Sequence, residues 1–188
     1  LNIYYNNYNL GVTANHNKAI SNVKSKFFVL TGGDDVFYKH KIMNQYNFMS
    51  KNPNYAICGH DVNIIDKKSK ILSKRKTIKW NRNGFGYNKW LHNGMLCVAF
   101  SLMYNTKYFN TKYDDRLPYA SDWKLVIDLL QNKNRYHILK IVLGGYRKHE
   151  KSLTKVHRNK CINDQINALK ILFNENQIKE DEYKKSLS

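Results

Sequence analysis

Lys26-Phe27-Phe28-Val29-Leu30-Thr31-Gly32-Gly33-Asp34-Asp35 decides how this chain is read. Residues 27–30 are a continuous apolar run, the pattern of a strand buried on both faces, and such strands belong to sheets covered by helices. The two glycines allow a sharp turn and a close approach of the backbone to a ligand. The two adjacent carboxylates are hard oxygen donors suited to Mg²⁺ or Mn²⁺, which in turn hold phosphate oxygens. Taken alone, the tetrapeptide is more simply a turn leaving a strand, because Gly and Asp are both turn residues.

Outward from that stretch, strands and helices alternate. Ile3-Tyr4-Tyr5 reads as a short strand, and Thr13 as the cap of a helix over residues 14–24. Residues 39–51 read as a helix with Ile42, Met43, Tyr46 and Met49 on its inner side, stopped at Asn52-Pro53. Residues 55–58 form a buried strand, and residues 62–65 and 71–72 a hairpin. Residues 74–88 read as a basic surface loop, 87–92 as a short helix, and 96–104 as a strand. A helix opens at Ser121 or Asp122 with Trp123, Val126, Ile127 and Leu130 inward. Residues 137–139 and 142–146 read as short strands. Residues 159–184 form an amphipathic helix carrying Ile162, Ile166, Leu169 and Phe173. This order predicts an α/β fold with a mainly parallel sheet, in which ligands bind beyond the carboxyl ends of strands. Residues 32–35 occupy one such end.

The length of 188 residues suits one domain, and a hydrophobic content of 42% suits a packed core rather than disorder. Cys58, Cys97 and Cys161 are widely spaced and odd in number, which fits reduced, buried thiols and a cytoplasmic setting. No apolar run approaches the roughly 18 residues that cross a bilayer. Residues 1–5 lack the basic start and long apolar stretch of a signal peptide. The net charge of +18, from 32 basic and 14 acidic residues, favours anionic partners: a diphosphate substrate, the inner face of an anionic membrane, or nucleic acid. Much of it is also explained by the crowding of Lys, Asn, Ile and Tyr, a bias of composition that solvated surface accommodates.

Four segments in order resemble a family 2 inverting glycosyltransferase of GT-A fold. Residues 9–19, around Asn9-Leu10-Gly11-Val12-Thr13 and Asn17, are similar to the family's N-x-G-V-S-x-A-R-N helix start. Residues 26–35 are similar to its strand ending in D-x-D-D. Asp114-Asp115-Arg116-Leu117 followed by Ser121-Asp122-Trp123-Lys124-Leu125 resembles F-D-E-x-L … E-D-W-x-L. Tyr146-Arg147-Lys148-His149 with Ser152 and Thr154 resembles Y-R-x-H-x-x-S-x-S/T. The resemblance covers residues 1–157 of a single domain, with residues 158–188 as a C-terminal helix.

That resemblance implies a metal-dependent transfer of a sugar from a UDP- or GDP-linked donor to a glycan or lipid-linked acceptor in polysaccharide or cell-envelope synthesis. Asp122 is implied as the general base that deprotonates the acceptor hydroxyl, although Ser121-Asp122 also reads as an ordinary helix start. Asp34, Asp35 and His149 are implied as metal ligands. Asn17, Gly33, Asp34 and Arg147 are implied at the nucleotide, with Arg147 suited to the charge of a leaving diphosphate. Trp80, Trp90 and Tyr87 are candidates to stack on sugar rings, or simply to pack. Residues 73–93 are expected to shape the acceptor pocket.

Two departures qualify the match. Gly32 stands where the family motif begins with an acid, which throws more of the metal role onto Asp34 and Asp35. The chain also begins at the family's third strand and without Met, so a longer reading frame or a truncated gene is expected, and the sheet is expected to expose unpaired edges. An inactive remnant is therefore one competing reading, and a basic nucleic-acid-binding module another.

Overall fold

The computed structural model describes residues 3–77, 82–150, 152 and 156–187. In chain order these form α1 (Gly11–Ile20), β1 (Phe27–Val29), β2 (Val36–Phe37), α2 (Lys41–Lys51), β3 (Tyr55–Ile65), β4 (Ile71–Arg75), β5 (Asn83–Phe85), α3 (Asn88–Asn93), β6 (Met103–Asn105), α4 (Ser121–Leu129), β7 (Arg135–Arg147), α5 (Arg158–Asn174) and α6 (Glu180–Leu187). The α/β class stands, but the sheet is not mainly parallel. Its order is β1-β6-β3-β7-β2, with β4 added to β3 and β5 to β7. Among the described residues only β3 and β7 run parallel; the other pairs are antiparallel. Parallel strands need a long crossover, and the β3-to-β7 route supplies one through α3 and α4. The short strands arrive by hairpins and loops, a distinction that hydrophobic periodicity does not carry.

Several boundaries change for local reasons. The expected strands at 137–139 and 142–146 are one strand, β7, and residues 55–58 continue through 65 as β3. β1 lies at the sheet edge with only Phe28 buried, so residues 27–30 are not covered on both faces. Residues 3–5 are exposed and join no ladder among the described residues. Thr13 is inside α1 rather than its cap; the Asn9 side chain instead accepts the Gly11 N–H at 2.9 Å. Residues 96–104 hold a 3₁₀ turn at Ala99–Ser101 before the short β6. The C-terminal helix is two helices, broken where Asn176 enters the left-handed region with φ 56°.

The inner side of α2 is polar, contrary to its apolar pattern. Lys41, Gln45 and Met49 are buried, whereas Ile42, Met43 and Tyr46 are exposed. Gln45 Nε2 donates to the carbonyls of Cys58 (2.6 Å) and Ser101 (2.8 Å), and its Oε1 accepts from Lys41 Nζ at 2.7 Å. Backbone carbonyls removed from water need such donors, so they select the polar side of the helix. Lys41 Nζ also sits 4.3 Å from the centre of the Phe37 ring. The main apolar core lies on the other side of the sheet, where Trp90, Leu125, Ile127, Tyr136 and Leu172 gather α3, α4 and α5.

Burial lowers the Lys41 pKa from the usual 10.5 to about 8. The unfolded chain therefore holds this proton at pH values where the folded chain has released it. The folding free energy of the native chain, taken relative to Lys41→Met, should improve as pH rises from 8 to 10.5. The gain should be on the order of 2–3 kcal/mol. Urea denaturation of both proteins across that window checks this; a pH-independent difference would contradict it.

Candidate active site

A cavity of about 500 Å³ opens where β1 ends, bounded by the 32–35 turn and the start of α4. Gly32, Asp35, Asp122, Trp123, His16 and Cys161 are part of its wall. The structure thus brings Asp35 and Asp122, far apart in sequence, to one space. Gly33, Asp34, Arg147 and His149 are not part of the wall, but they join it through Asp35 and the turn.

The turn is held from β7. Asp35 Oδ1 accepts the Arg147 backbone N–H at 3.0 Å, and Arg147 Nε donates to the Asp34 carbonyl at 2.7 Å. The same guanidinium donates from Nη1 to the Asp66 carbonyl (2.6 Å) and from Nη2 to Ser69 Oγ (3.1 Å). Arg147 is therefore a strut between the turn and the β3–β4 hairpin, with part of its fixed fork of donors spent on protein. His149 Nε2 lies 3.2 Å from Asp34 Oδ2. Burial raises the Asp35 carboxyl to about 6. The Asp34 charge adds to that rise, and the Arg147 N–H and guanidinium oppose it. Neither Gly32 nor Gly33 adopts a left-handed φ, so the turn does not require glycine for its backbone angles. The glycine that is required is Gly144, on the strand opposite: a Cβ there would meet the Phe100 ring at 2.7 Å and the Val36 carbonyl at 3.0 Å. Its absence lets β2 pair with β7 directly after Asp35.

Asp122 is in the first turn of α4, whose preceding residue Ala120 offers no side-chain cap. The backbone leading into α4 is held from α5. Asp164 is buried, and its Oδ2 accepts the N–H groups of Tyr119 (2.7 Å) and Ala120 (2.9 Å). Thr13 Oγ1 from α1 reaches the Leu117 carbonyl and Ser121 Oγ, each at 3.5 Å. Burial pushes the Asp122 carboxyl above the ordinary carboxylate range, opposed by the N–H groups of Trp123 and of Asp122 itself. A helix start and a mounted carboxylate coexist here.

Asn17 grips a neighbouring segment. Its Nδ2 donates to the Tyr113 carbonyl at 2.9 Å, and its Oδ1 accepts the Tyr113 N–H at 2.8 Å. Both ends of the amide are thus committed to the backbone that carries Tyr113 into the cavity wall. Asn17 itself is not part of that wall. Asp114 is paired with Arg116 at 2.6 Å and with the buried Lys124 at 3.6 Å, and Arg116 reaches Glu175 at 2.7 Å, so that segment ties α4 to α5.

Two of the three aromatic candidates make packing or hydrogen-bond contacts within the protein. Trp90 is fully buried, and its carbonyl accepts the Trp123 indole N–H at 2.8 Å. The Tyr87 hydroxyl is turned to Glu182 on α6 at 3.1 Å. Trp80 lies outside the described residues. The spacing of α5 gave no sign of Asp164, because a buried acid among apolar positions looks like a break in the pattern. His16, whose ring lies tilted at 5.0 Å from that of Tyr113 and whose pKa is lowered by burial, could have been singled out as the position where the family motif carries Arg.

The chain is similar to two uncharacterized glycosyltransferases. One, from Methanocaldococcus jannaschii, is 27% identical over 143 residues, covering 76% of this chain and 49% of the relative. The other, from Rickettsia bellii, is 27% identical over 176 residues, covering 88% of this chain and 24% of the relative. The chain thus spans about half the length of the first and about a quarter of the second. Its fold is similar to residues 1–349 of S. aureus TarS, with a TM-score of 0.58 at 11% identity over 85% of this chain and 45% of that one. The complex of the same TarS region with UDP gives 0.57 at 12% identity, with the same coverage. These neighbours match the GT-A arrangement of a sheet flanked by helices. The sequence model described as glycosyl transferase family 2 matches residues 1–111, more than half of the chain, and the chain belongs to that family.

Proposed function

We propose that this chain carries the catalytic centre of an inverting glycosyltransferase, which moves a sugar from a nucleotide-diphosphate donor to a glycan or lipid-linked acceptor in polysaccharide or cell-envelope synthesis. The observation that carries this reading is the cavity that Asp122 shares with Gly32 and Asp35 of the turn. It offers a base and a donor-binding corner to one pair of substrates. The UDP held by TarS supports a uridine nucleotide as the first donor to try.

Asp122 takes the proton of the acceptor hydroxyl as its oxygen attacks the anomeric carbon. The bond from that carbon to the diphosphate oxygen breaks on the opposite face, and the nucleotide diphosphate leaves. A carboxyl raised by burial is a better base than an ordinary one, provided that it is still ionised at the working pH. Asp164 acts through Asp122 by fixing the backbone on which it stands.

Asp34 and His149 fit a Mg²⁺ or Mn²⁺ ion as two adjacent donors, with Asp35 beside them. Among the described residues no group of three His, Cys, Asp or Glu is assembled for a metal. The remaining ligands would come from water and diphosphate oxygens, as is usual for Mg²⁺ beside phosphates. The bound ion would supply positive charge to the leaving diphosphate. Gly32, in the cavity wall where the family motif has an acid, favours the alternative of a chain that no longer binds donor.

Titration with UDP- and GDP-sugars separates these readings. Mn²⁺-dependent binding, lost in Asp34→Asn, is expected; no binding with any donor favours the inactive form. Asp122→Asn should retain donor binding while transfer falls by about 10²–10⁴-fold. Transfer should also be lost as pH falls through the raised Asp122 pKa, at a pH above the ordinary carboxylate range. A separate pair of variants tests the mount. Asp164→Ala should lower stability by about 1–3 kcal/mol and depress kcat more than KM. Asp164→Asn, which retains an oxygen acceptor, should recover most of both.

A further inference from the structure

The second arm of the β3–β4 hairpin has an unusual make-up. Residues 67–76 hold Lys67, Lys68, Lys70, Lys74, Arg75 and Lys76 and no acid, with Ile71-Leu72 at their centre. β3 is buried along its whole length, yet every residue of β4 is exposed. Ile71 is 52% and Leu72 58% exposed. The ladder explains how both project: Ile64 pairs with Ser73 and Ile65 with Ile71, so Leu72 is left as an extra residue at a bulge. Lysines on an edge strand guard against pairing with other strands, which accounts for the charge but not for two exposed aliphatic residues within it. Cations around a small apolar projection match an anionic bilayer surface, where the headgroups attract the lysines and the interface accepts the aliphatic side chains.

The hairpin is also joined to the cavity at both ends. At its tip, the Asp66 carbonyl and Ser69 Oγ accept from Arg147, whose Nε holds the Asp34 carbonyl. At its other end, Arg75 is in the cavity wall and donates to the Met95 carbonyl at 3.0 Å. We infer that residues 67–76 dock the protein on anionic phospholipid, with Ile71 and Leu72 entering the interface. Docking there sets the cavity beside the bilayer, where a lipid-linked acceptor is presented; that consequence rests on the transferase reading, whereas the docking itself does not.

The test uses the whole chain, without donor, and sedimentation with phosphatidylcholine vesicles either pure or containing roughly 30% phosphatidylglycerol. Binding is expected only to the anionic vesicles, weakening as salt is raised. Replacing Lys67, Lys68, Lys70 and Lys74 with Gln should reduce partitioning at least ~10-fold. A control with the same loss of charge elsewhere, Lys24, Lys26, Lys107 and Lys112 to Gln, should reduce it much less. The pair Ile71→Ser and Leu72→Ser should also weaken binding with all charges intact. Melting curves establish that each variant folds, and Asp122→Asn should bind vesicles normally. Equal losses in the two lysine sets, no effect of Ile71→Ser and Leu72→Ser, or hairpin-dependent binding to polyphosphate or RNA without vesicle binding would overturn the proposal. Failure of sugar transfer alongside intact vesicle binding would count against the transferase reading alone.

Discussion

The parallel pairing of Tyr55–Ile65 with Arg135–Arg147 is the constraint on which the rest of the structure depends. These are the two long strands, and every other strand reaches the sheet through one of them or through β6. The ladder runs to its last register, Ile65 opposite Arg147. That register sets Arg147 at the turn by its backbone before its side chain makes any contact. β2 then pairs on the far flank of β7, which brings Asp35 alongside, and β4 folds back on β3 to put Ser69 within reach of the guanidinium. A slip of one residue would send every side chain to the other face of the sheet, so the corner is specified by long-range sheet register rather than by local turn chemistry.

This explains what could be read from the sequence and what could not. Residues 32–35 were legible as a site only in company, because their angles are ordinary and their types are those of any turn. Asp122 was legible as a helix start and, through the resemblance, as a candidate base. Arg147 and His149 were legible as candidate polar groups near phosphate; that Arg147 commits its donors to three residues in two distant segments was not, because each partner is more than 70 residues away. The reversed face of α2 has a similar origin. Its apolar pattern pointed Ile42, Met43 and Tyr46 inward, but the demand of two buried carbonyls, those of Cys58 and Ser101, outweighed it. Periodicity counts side chains and is blind to the backbone they must satisfy.

Electrostatics at the site follow from the same economy. Burial is the main cause of the raised Asp35 pKa, and repulsion from the adjacent Asp34 carboxylate adds to it. The backbone N–H and side chain of Arg147 offset that repulsion without removing it. A cation at the corner would relieve it further, and Asp34 with His149 is where one would find donors. Gly32 deprives the corner of a third acid, so charge lost from the family pattern leaves less repulsion to overcome and less negative field to hold an ion. Both effects scale with the same missing carboxylate.

The division of the site along the chain carries one more step. The family model covers residues 1–111, which include the Gly32–Asp35 turn. Asp122, Arg147 and Asp164 all lie beyond it. The Gly32–Asp35 turn is therefore in the part that the family shares most plainly, whereas Arg147 behind it and Asp122, the proposed base, are not, and the backbone leading into α4 is held from α5. A carboxylate base needs its position fixed to a fraction of an ångström to act on a hydroxyl. Here that position depends on Asp164 and Thr13, residues of two other helices that touch no substrate in the proposed reaction. Changes at Asp164 on α5 would then alter the mount of Asp122, whereas the Gly32–Asp35 turn is held by Arg147 from β7.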